Sequence, residues 1–418
     1  MFTQGWLGLA TLLALVGLFA HQPIILLLGA VLLLGAGASY LWDKYCLWRV
    51  EYRRTFAPRR AFYGEEITLG VEVTNRKALP LAWLEAVDEL PAELEPLEGT
   101  VIPSLRQRRQ HLVNAFSPRW YERVRRRVRL RCSARGWFTL GPVRLRSGDL
   151  FGFTLRGRDV ELIDRLIVYP KVVPLEALGL PPLHPLGDAR TPRLLFEDPT
   201  RTVGVRDYLP GDPLRRLHWK ATARLGGLQS RLYESTLTHR LAIFLNIDTL
   251  GEYAEYRGFV RPLLELNLMV AASVAYWGSE QGHPVGLYAN GYLPEGLRWI
   301  GMAPAAGAAH LVSMLEALAK VFPTPAMPLD DLIHLAAGEL PWGTTAVIVT
   351  AVVDVPLQAG ILRLREAGHG VVLLLIGDRI RPPEADVPVF FIRGEVGWRA
   401  MDELRLAPSL GAAAAARR

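Results

Sequence analysis

The sequence predicts an α/β plus all-β protein behind a membrane anchor. An N-terminal transmembrane helical hairpin comes first, then an antiparallel β-sandwich, then an α/β domain with helices on both faces of a parallel sheet. Three observations carry this reading. Two uncharged apolar runs open the chain, period-two alternation dominates residues 44–170, and apolar strands alternate with amphipathic helices over 236–405. A length of 418 residues allows two or three domains.

The hairpin occupies residues 1–43. Trp6 to Ala20 reads WLGLATLLALVGLFA and Ile24 to Trp42 reads IILLLGAVLLLGAGASYLW, both without a charge. The second run, 19 residues, suits the hydrocarbon thickness as a helix, and the first does so with Met1 to Gly5 added. Only His21-Gln22-Pro23 separates them, which predicts helices at about 5–20 and 24–42 in a tight hairpin. A cleaved signal peptide is the competing reading. The first run lacks a basic n-region and a second apolar run follows at once, which favours the hairpin. The loop has no Lys or Arg, whereas Lys44, Arg49, Arg53, Arg54, Arg59 and Arg60 follow the second helix. Positive charge stays inside, so a multi-pass protein of a cell inner or plasma membrane is expected, with both termini and the bulk of the chain cytoplasmic. Gly35 to Ser39, GAGAS, predicts close helix packing within the second helix.

Mean hydropathy is +0.17, raised locally by these runs. Net charge is +7, and arginine supplies 43 of the 48 basic residues. So lopsided a choice weakens any single arginine cluster as a binding signal, although a basic chain gains attraction to an anionic leaflet. Two cysteines, Cys46 and Cys132, fit a reducing compartment, and no Cys or His pair has metal-ligand spacing.

Residues 44–170 predict the sandwich. Ile67, Leu69, Val71 and Val73 alternate inward and stop at a polar turn on Asn75; Val124, Arg126, Val128, Leu130 and Cys132 share a second face. Residues 171–235 hold a Pro-rich extended linker (Lys171 to Arg193) and then an unusual polar stretch. The α/β domain spans 236–405, with strands at 241–248, 285–290, 345–353 and 371–378. Its helices are predicted at Gly258 to Gly278, Ala306 to Phe322 and Pro356 to Ala367. The tail, 406–418, reads as disordered.

The polar stretch is YLPGDPLRRLHWKATAR, Tyr208 to Arg224. Pro210-Gly211 is turn chemistry, Asp212 stands where an N-cap should, and Pro213 is a favoured first helical residue. Leu214, Leu217, His218 and Ala221 follow at helical spacing as a buried stripe bordered by Trp219, with Gly226-Gly227 as the stop. Arg215, Arg216, Lys220 and Arg224 lie off that stripe. A helix of about three turns is expected, serving as a structural clasp or docking surface. Anion or nucleic-acid contact is a second reading, and catalysis a third. Catalysis lacks a nucleophile or matched acid–base pair once Asp212 is a cap and His218 a core residue.

At these residues the chain resembles the family called domain of unknown function 58. Its pattern, R-x-Y-x-x-G-D-x-x-R-x-I-x-W-K-x-x-A-R, is matched by Arg206, Tyr208, Gly211, Asp212, Arg215, Leu217 (for Ile), Trp219, Lys220, Ala223 and Arg224. SGDLFGF (147–153) and VYP (168–170) fit the same family. The resemblance implies membrane anchoring and a von Willebrand factor A-like, Rossmann-type three-layer α/β region. It also implies association with a MoxR-type AAA+ ATPase. A metal-ion-dependent adhesion site would need D-x-S-x-S after the first strand, where this chain has Asn246-Ile247-Asp248-Thr249-Leu250. A later acid is replaced by Ala351 beside Thr350, with Asp354 the nearest carboxylate. One carboxylate among scattered hydroxyls is a poor Mg²⁺ site, so no metal is expected at this degenerate site.

Ser104 to Arg131 holds ten arginines and one acid, Glu122, with Phe116, Trp120 and Tyr121 among them. A nucleic-acid groove has this composition, but so does a solvated basic face near anionic lipid, and the second reading is preferred. Motifs for nucleotide binding or hydrolysis are not found. The expectation is a non-enzymatic, membrane-anchored cytoplasmic scaffold without a cofactor, with a protein partner and no nucleic acid. An enzyme or anion-binding protein using the basic hallmark helix is the alternative; a basic lipid- or nucleic-acid-binding protein is the second.

Overall fold

The computed structural model describes residues 2–149, 155–174, 197–208, 217–235, 240–250, 258–377, 380, 387–393, 399 and 406–408. The chain divides into two compact units, Met1–Lys171 with Leu318–Lys320, and Val172–Ala317 with Val321–Arg418.

The first unit opens with two antiparallel helices, α1 (Phe2–Phe19) and α2 (Pro23–Tyr45). Pro23 starts α2, where its missing N–H costs nothing. The helix runs three residues past the apolar stretch, through Asp43-Lys44-Tyr45, where Lys44 complements the negative end of the helix dipole. Among the described residues one helix, α2, is both long and apolar enough to cross a membrane; the apolar part of α1 with described side chains, Gly8–Phe19, is shorter. Of the stretch 35–39, Gly35 and Gly37 make no close approach, since a Cβ on either would meet nothing within 4 Å, whereas Ser39 is buried and donates to Asp149 at 2.6 Å. The helices instead touch at Gly17, against Leu26, and at Gly29, where a Cβ would lie 2.6 Å from the Ala14 amide nitrogen. The tight loop forces the approach to occur near its own end of the hairpin.

Twelve strands follow. They are β1 (Val50–Ala57), β2 (Arg60–Phe62), β3 (Glu66–Asn75), β4 (Leu84–Pro91), β5 (Leu94–Pro96) and β6 (Thr100–Pro103). Then come β7 (Arg109–Phe116), β8 (Arg123–Cys132), β9 (Gly136–Leu140), β10 (Val143–Gly148), β11 (Leu155–Val160) and β12 (Asp164–Tyr169). Two antiparallel sheets, ordered β1-β3-β8-β5 and β11-β10-β4-β7-β6, contribute to one apolar core. A third, β2-β12-β9, contains a parallel pair, so the domain is not purely antiparallel. The alternation in β3 places Ile67, Leu69, Val71 and Val73 in the core as predicted. In β8 the pattern holds for Val128, Leu130 and Cys132, but Arg126 is exposed and stacks over the Phe116 ring at 5.1 Å. Asn75 is buried rather than at an open turn; its amide donates to the carbonyls of Leu79 and Arg119 at 2.9 Å each.

Inside this core lies a buried ionic network. Arg54 donates to Asp88 at 3.0 Å, to Asp164 at 2.8 Å, and to the carbonyls of Leu140 and Leu162 at 3.0 and 2.9 Å. Tyr52 donates its hydroxyl to the other oxygen of Asp88 at 2.6 Å. Gly141, at φ +102°, leaves room for this meeting, since a Cβ there would strike the Leu162 carbonyl oxygen. The arginines of 104–131 mostly meet acids from neighbouring strands: Arg123 and Arg125 on Glu72, Arg129 on Glu98, Arg131 on Glu66 and Arg106 on Glu89. Their charge is partly neutralised within the domain, as on an ordinary solvated face.

The second unit comprises β13 (Glu197–Asp207), α3 (Trp219–Leu225), β14 (Gln229–Ser235), β15 (Leu241–Leu245), α4 (Arg261–Glu280), β16 (Val285–Ala289) and β17 (Ile300–Ala305). It continues with α5 (Ala308–Lys320), α6 (Leu329–Ala337), β18 (Thr345–Thr350), α7 (Val355–Glu366), β19 (Gly370–Ile376), β20 (Val389–Ile392) and β21 (Leu406–Pro408). The sheet order is β17-β16-β15-β18-β19-β20-β21, parallel in the middle and antiparallel at both edges. Alternate residues of β15 face α6 and α7, while Leu241 meets α4 at Gly278 on the other side. This mixed, mostly parallel α/β domain explains why every residue of β15, β16 and β18 is buried.

Two expectations need correction. The tail begins with a strand, β21, paired with β20, so 406–408 are ordered by a sheet edge; 409–418 lie outside the described residues. The linker's first residues are packed, with Val173 buried and its N–H donating to the Ser273 hydroxyl at 2.9 Å; 175–196 lie outside the described residues. Elements β17, α6 and β20 were not foreseen: Gly301 and Pro304 interrupt β17, β20 has four residues and α6 only nine.

Candidate functional site

The described part of the polar stretch, Tyr208 and Leu217 to Arg224, is tied to a strand pair. β13 and β14 pair antiparallel, with Asp207 opposite Gln229 and Arg206 opposite Ser230. Leu217 bridges to Ser230 from the other side, and the His218 N–H donates to the Gln229 carbonyl at 2.8 Å. Gln229 is the hub. Its N–H donates to the Thr222 hydroxyl at 3.0 Å and its side-chain amide to Asp207 at 2.7 Å.

This arrangement corrects the predicted helix. The described helix begins at Trp219, seven residues long, and not at Pro213; Gly211, Asp212, Arg215 and Arg216 lie outside the described residues. His218 is its N-cap, with Nδ1 accepting the Ala221 N–H at 3.1 Å. A ring nitrogen used in this way cannot at the same time serve as a general base. Leu217 is buried, but through the β-bridge and not on a helical stripe. Gly226, at φ 71°, ends the helix in the left-handed conformation as expected of a glycine stop.

No residue of α3 is buried. Trp219 is 68% exposed, and Leu225, Leu228 and Val205 are exposed with it. Lys220 and Arg224 are also exposed, while Arg206 and Tyr208 are half-buried. Trp219 therefore does not anchor a core. The described turn exposes an indole, two leucines and two cations.

The second candidate position lies where the sheet order reverses, between β15 and β18. The crevice outside the carboxyl ends of such strands is where open α/β sheets take ligands. Here it holds an amide–hydroxyl network. Asn246 accepts from the Asp248 N–H and the Asn290 amide, both at 3.0 Å, and donates to the Thr350 hydroxyl at 3.1 Å. Asn290 also accepts from the Ile247 N–H at 2.7 Å, and Asn267 donates to the Asn246 carbonyl at 3.1 Å. Thr350 donates to the Val352 carbonyl, Asp248 accepts the Leu250 N–H, and Asp354 caps α7 through the Leu357 N–H. One oxygen of Asp248, one of Asp354 and the Thr350 hydroxyl thus accept from backbone or amide donors. Among the described residues no three His, Cys, Asp or Glu side chains cluster. Asn267, Asn290, Thr222, Asp207 and Gln229 were not singled out from sequence. Asn267 alone carried a signal, as a polar residue inside the apolar LNLMV of α4.

These elements define a protein with an apolar N-terminal helix pair, antiparallel β sheets and a mixed, mostly parallel α/β domain. Residues 204–383 match the model of the family described as "Protein of unknown function DUF58". It is distantly similar to the "Uncharacterized protein YeaD" of Bacillus subtilis (strain 168), 27% identical over 183 residues. That match spans 43% of each chain, so the chain covers less than half of this relative's length. Among solved structures, a cohesin module from a family 33 glycoside hydrolase of Clostridium perfringens ATCC13124 is 10% identical, covering 28% of this chain and 96% of that one at a TM-score of 0.21. A non-cellulosomal cohesin from Archaeoglobus fulgidus is 12% identical, covering 28% and 91% at 0.19. Scores of this size support no inference about activity.

Proposed function

We propose that this protein is a membrane-anchored scaffold whose hallmark turn docks a protein partner. The observation that carries the reading is Trp219, an exposed indole on a helix with no buried residue, held by the hydrogen bonds of Gln229, Thr222 and His218. An exposed indole flanked by Leu225, Leu228 and two cations has the make-up of an interface anchor. In this reading α1 and α2 both cross the membrane, with the rest of the chain in the cytoplasm, consistent with Lys44, Arg49 and Arg53 following α2. The α/β domain is von Willebrand A-like, with the amide network of Asn246 and Asn290 in place of a metal centre. A MoxR-type AAA+ ATPase is the partner the family resemblance implies.

The test is a Trp219→Ala variant expressed in native membranes beside wild type. An exposed side chain contributes little to folding, so the melting midpoint should stay within about 0.5 kcal/mol of wild type. Recovery of the ATPase in a detergent pull-down should fall at least about tenfold if Trp219 is an interface anchor. Undiminished recovery would remove the docking role from this turn. The enzymatic alternative would gain from a defined turnover abolished by Lys220→Ala with unchanged melting.

A further inference from the structure

The C-terminal end of α2 borders a cavity of about 470 Å³ within the first unit, lined by Leu41, Trp42, Tyr45, Trp48, Lys77 and Leu79 among others. Its walls are apolar except at one place. Lys77, in the loop after β3, is only 4% exposed. Its ammonium has three donors, and one hydrogen bond, to the Cys46 carbonyl at 2.7 Å, uses one of them. None of the described carboxylates forms a salt bridge with it. The Trp42 indole N–H, in the same lining, is buried and has no hydrogen-bond partner.

A buried cation with unfilled donors beside an empty space is costly unless something anionic completes it. The rim adds positive charge: the Lys44 ammonium lies 5.5 Å from the Tyr45 ring centre and the Arg49 guanidinium 4.4 Å from that of Trp48. The nearby acid, Asp43, is already paired with Arg156 at 3.4 Å. Trp, Tyr, Lys and Arg at the end of an apolar helix are what an interfacial belt contains, at the depth of lipid headgroups. Burial first, and the nearby charge of Arg158 second, push the Lys77 ammonium down to about 8.

We propose that this cavity binds the headgroup of an anionic phospholipid, with Lys77 and the Trp42 indole donating to its phosphate and the apolar walls holding the start of its acyl chains. The proposal rests on α2 lying in a bilayer, and the experiment separates the two claims. The full chain is reconstituted into nanodiscs of phosphatidylcholine with or without phosphatidylglycerol, and co-elution with the discs reports the anchor. Lipid retained after extraction into mild detergent is then measured by native mass spectrometry for wild type, Lys77→Met and Trp42→Phe. Phosphatidylglycerol should be retained over phosphatidylcholine by wild type. Its retention should fall about tenfold in Lys77→Met, the size of one charge-assisted hydrogen bond, and less in Trp42→Phe, which keeps the ring. Should Lys77→Met fail to fold, Trp42→Phe still decides. Equal retention of the two lipids, or variants that hold phosphatidylglycerol as wild type does, would overturn the proposal. So would displacement of the lipid by millimolar inorganic phosphate, which would make free phosphate the ligand. A chain that elutes apart from the discs would sink the anchor and the lipid site together, whereas a chain in the discs without lipid preference sinks only the site.

Discussion

Replacing Arg54 with Met removes the only guanidinium in the interior of the β domain's ionic network while keeping most of its volume. Asp88 then stays buried with the Tyr52 hydroxyl alone, and the carbonyls of Leu140 and Leu162 each lose a donor. Burial already raises the Asp88 carboxyl above its ordinary value, against the pull of Tyr52 and Arg54. Losing the cation leaves that carboxyl with a charge it cannot share or a proton it must take up. Asp164 suffers less, since 18% of its side chain reaches solvent. Breaking one side of a fully buried pair costs about 3–5 kcal/mol, and the stranded carbonyls place this case toward the upper end. Hydrogen exchange of amides in β1, β4 and β10 reads that loss locally, so the second unit cannot mask it. Protection there should fall about a hundredfold or more. Adding Asp88→Asn should restore about 2 kcal/mol, because an amide can still accept from Tyr52 and costs less to bury than an unpaired carboxylate. A loss below about tenfold in the single variant, or no recovery in the double, would refute the view that this network is charged and dry.

Three further perturbations follow from the same reasoning. Lys77, held down to about 8 by burial, binds its proton less tightly folded than unfolded. Stability should therefore rise between pH 8 and the ordinary lysine value, by up to about 3 kcal/mol, and melting midpoints of Lys77→Met should lack that rise. Asn246→Asp puts a carboxylate among donors but removes the one that meets Thr350, and should lower the melting midpoint by the equivalent of about 1–3 kcal/mol. Gly29→Leu would drive a side chain into the Ala14 backbone and should destabilise the helix pair in detergent by about 1–3 kcal/mol, whereas Gly35→Leu, facing open space, should melt as wild type does.

The parts of the fold legible in sequence were those with a strong period. Ile67, Leu69, Val71 and Val73 announce their strand because one face of β3 is buried and the other wet. The fully buried runs of β15 and β18 announce a covered sheet. The edge strand β17 escaped because Gly301 and Pro304 interrupt its IGMAPA sequence, and β20 because it has only four residues. Glycine spacing misled for a different reason. Gly35 and Gly37 look like a packing face, but which glycines touch depends on where the loop brings the helices together, and that selects Gly17 and Gly29.

At the hallmark, local rules do not foresee His218 as the cap of the described helix, because non-local bonds fix that residue; Asp212 itself lies outside the described residues. Asp212 followed by Pro213 is a good helix start by propensity, worth about 1 kcal/mol. The described helix nonetheless starts six residues after that proline, where His218 is fixed on both sides of its backbone: its N–H bonds to β14 and its ring caps the helix. Leu217 has meanwhile been drawn into a bridge with Ser230, which a helical stripe would forbid. Once Gln229 ties Asp207 and Thr222 together, the backbone of the turn is set without any contribution from the Trp219 side chain. The Trp219 indole is 68% exposed and takes no part in these hydrogen bonds, which is why Gln229→Ala should loosen the turn while Trp219→Ala should leave it intact.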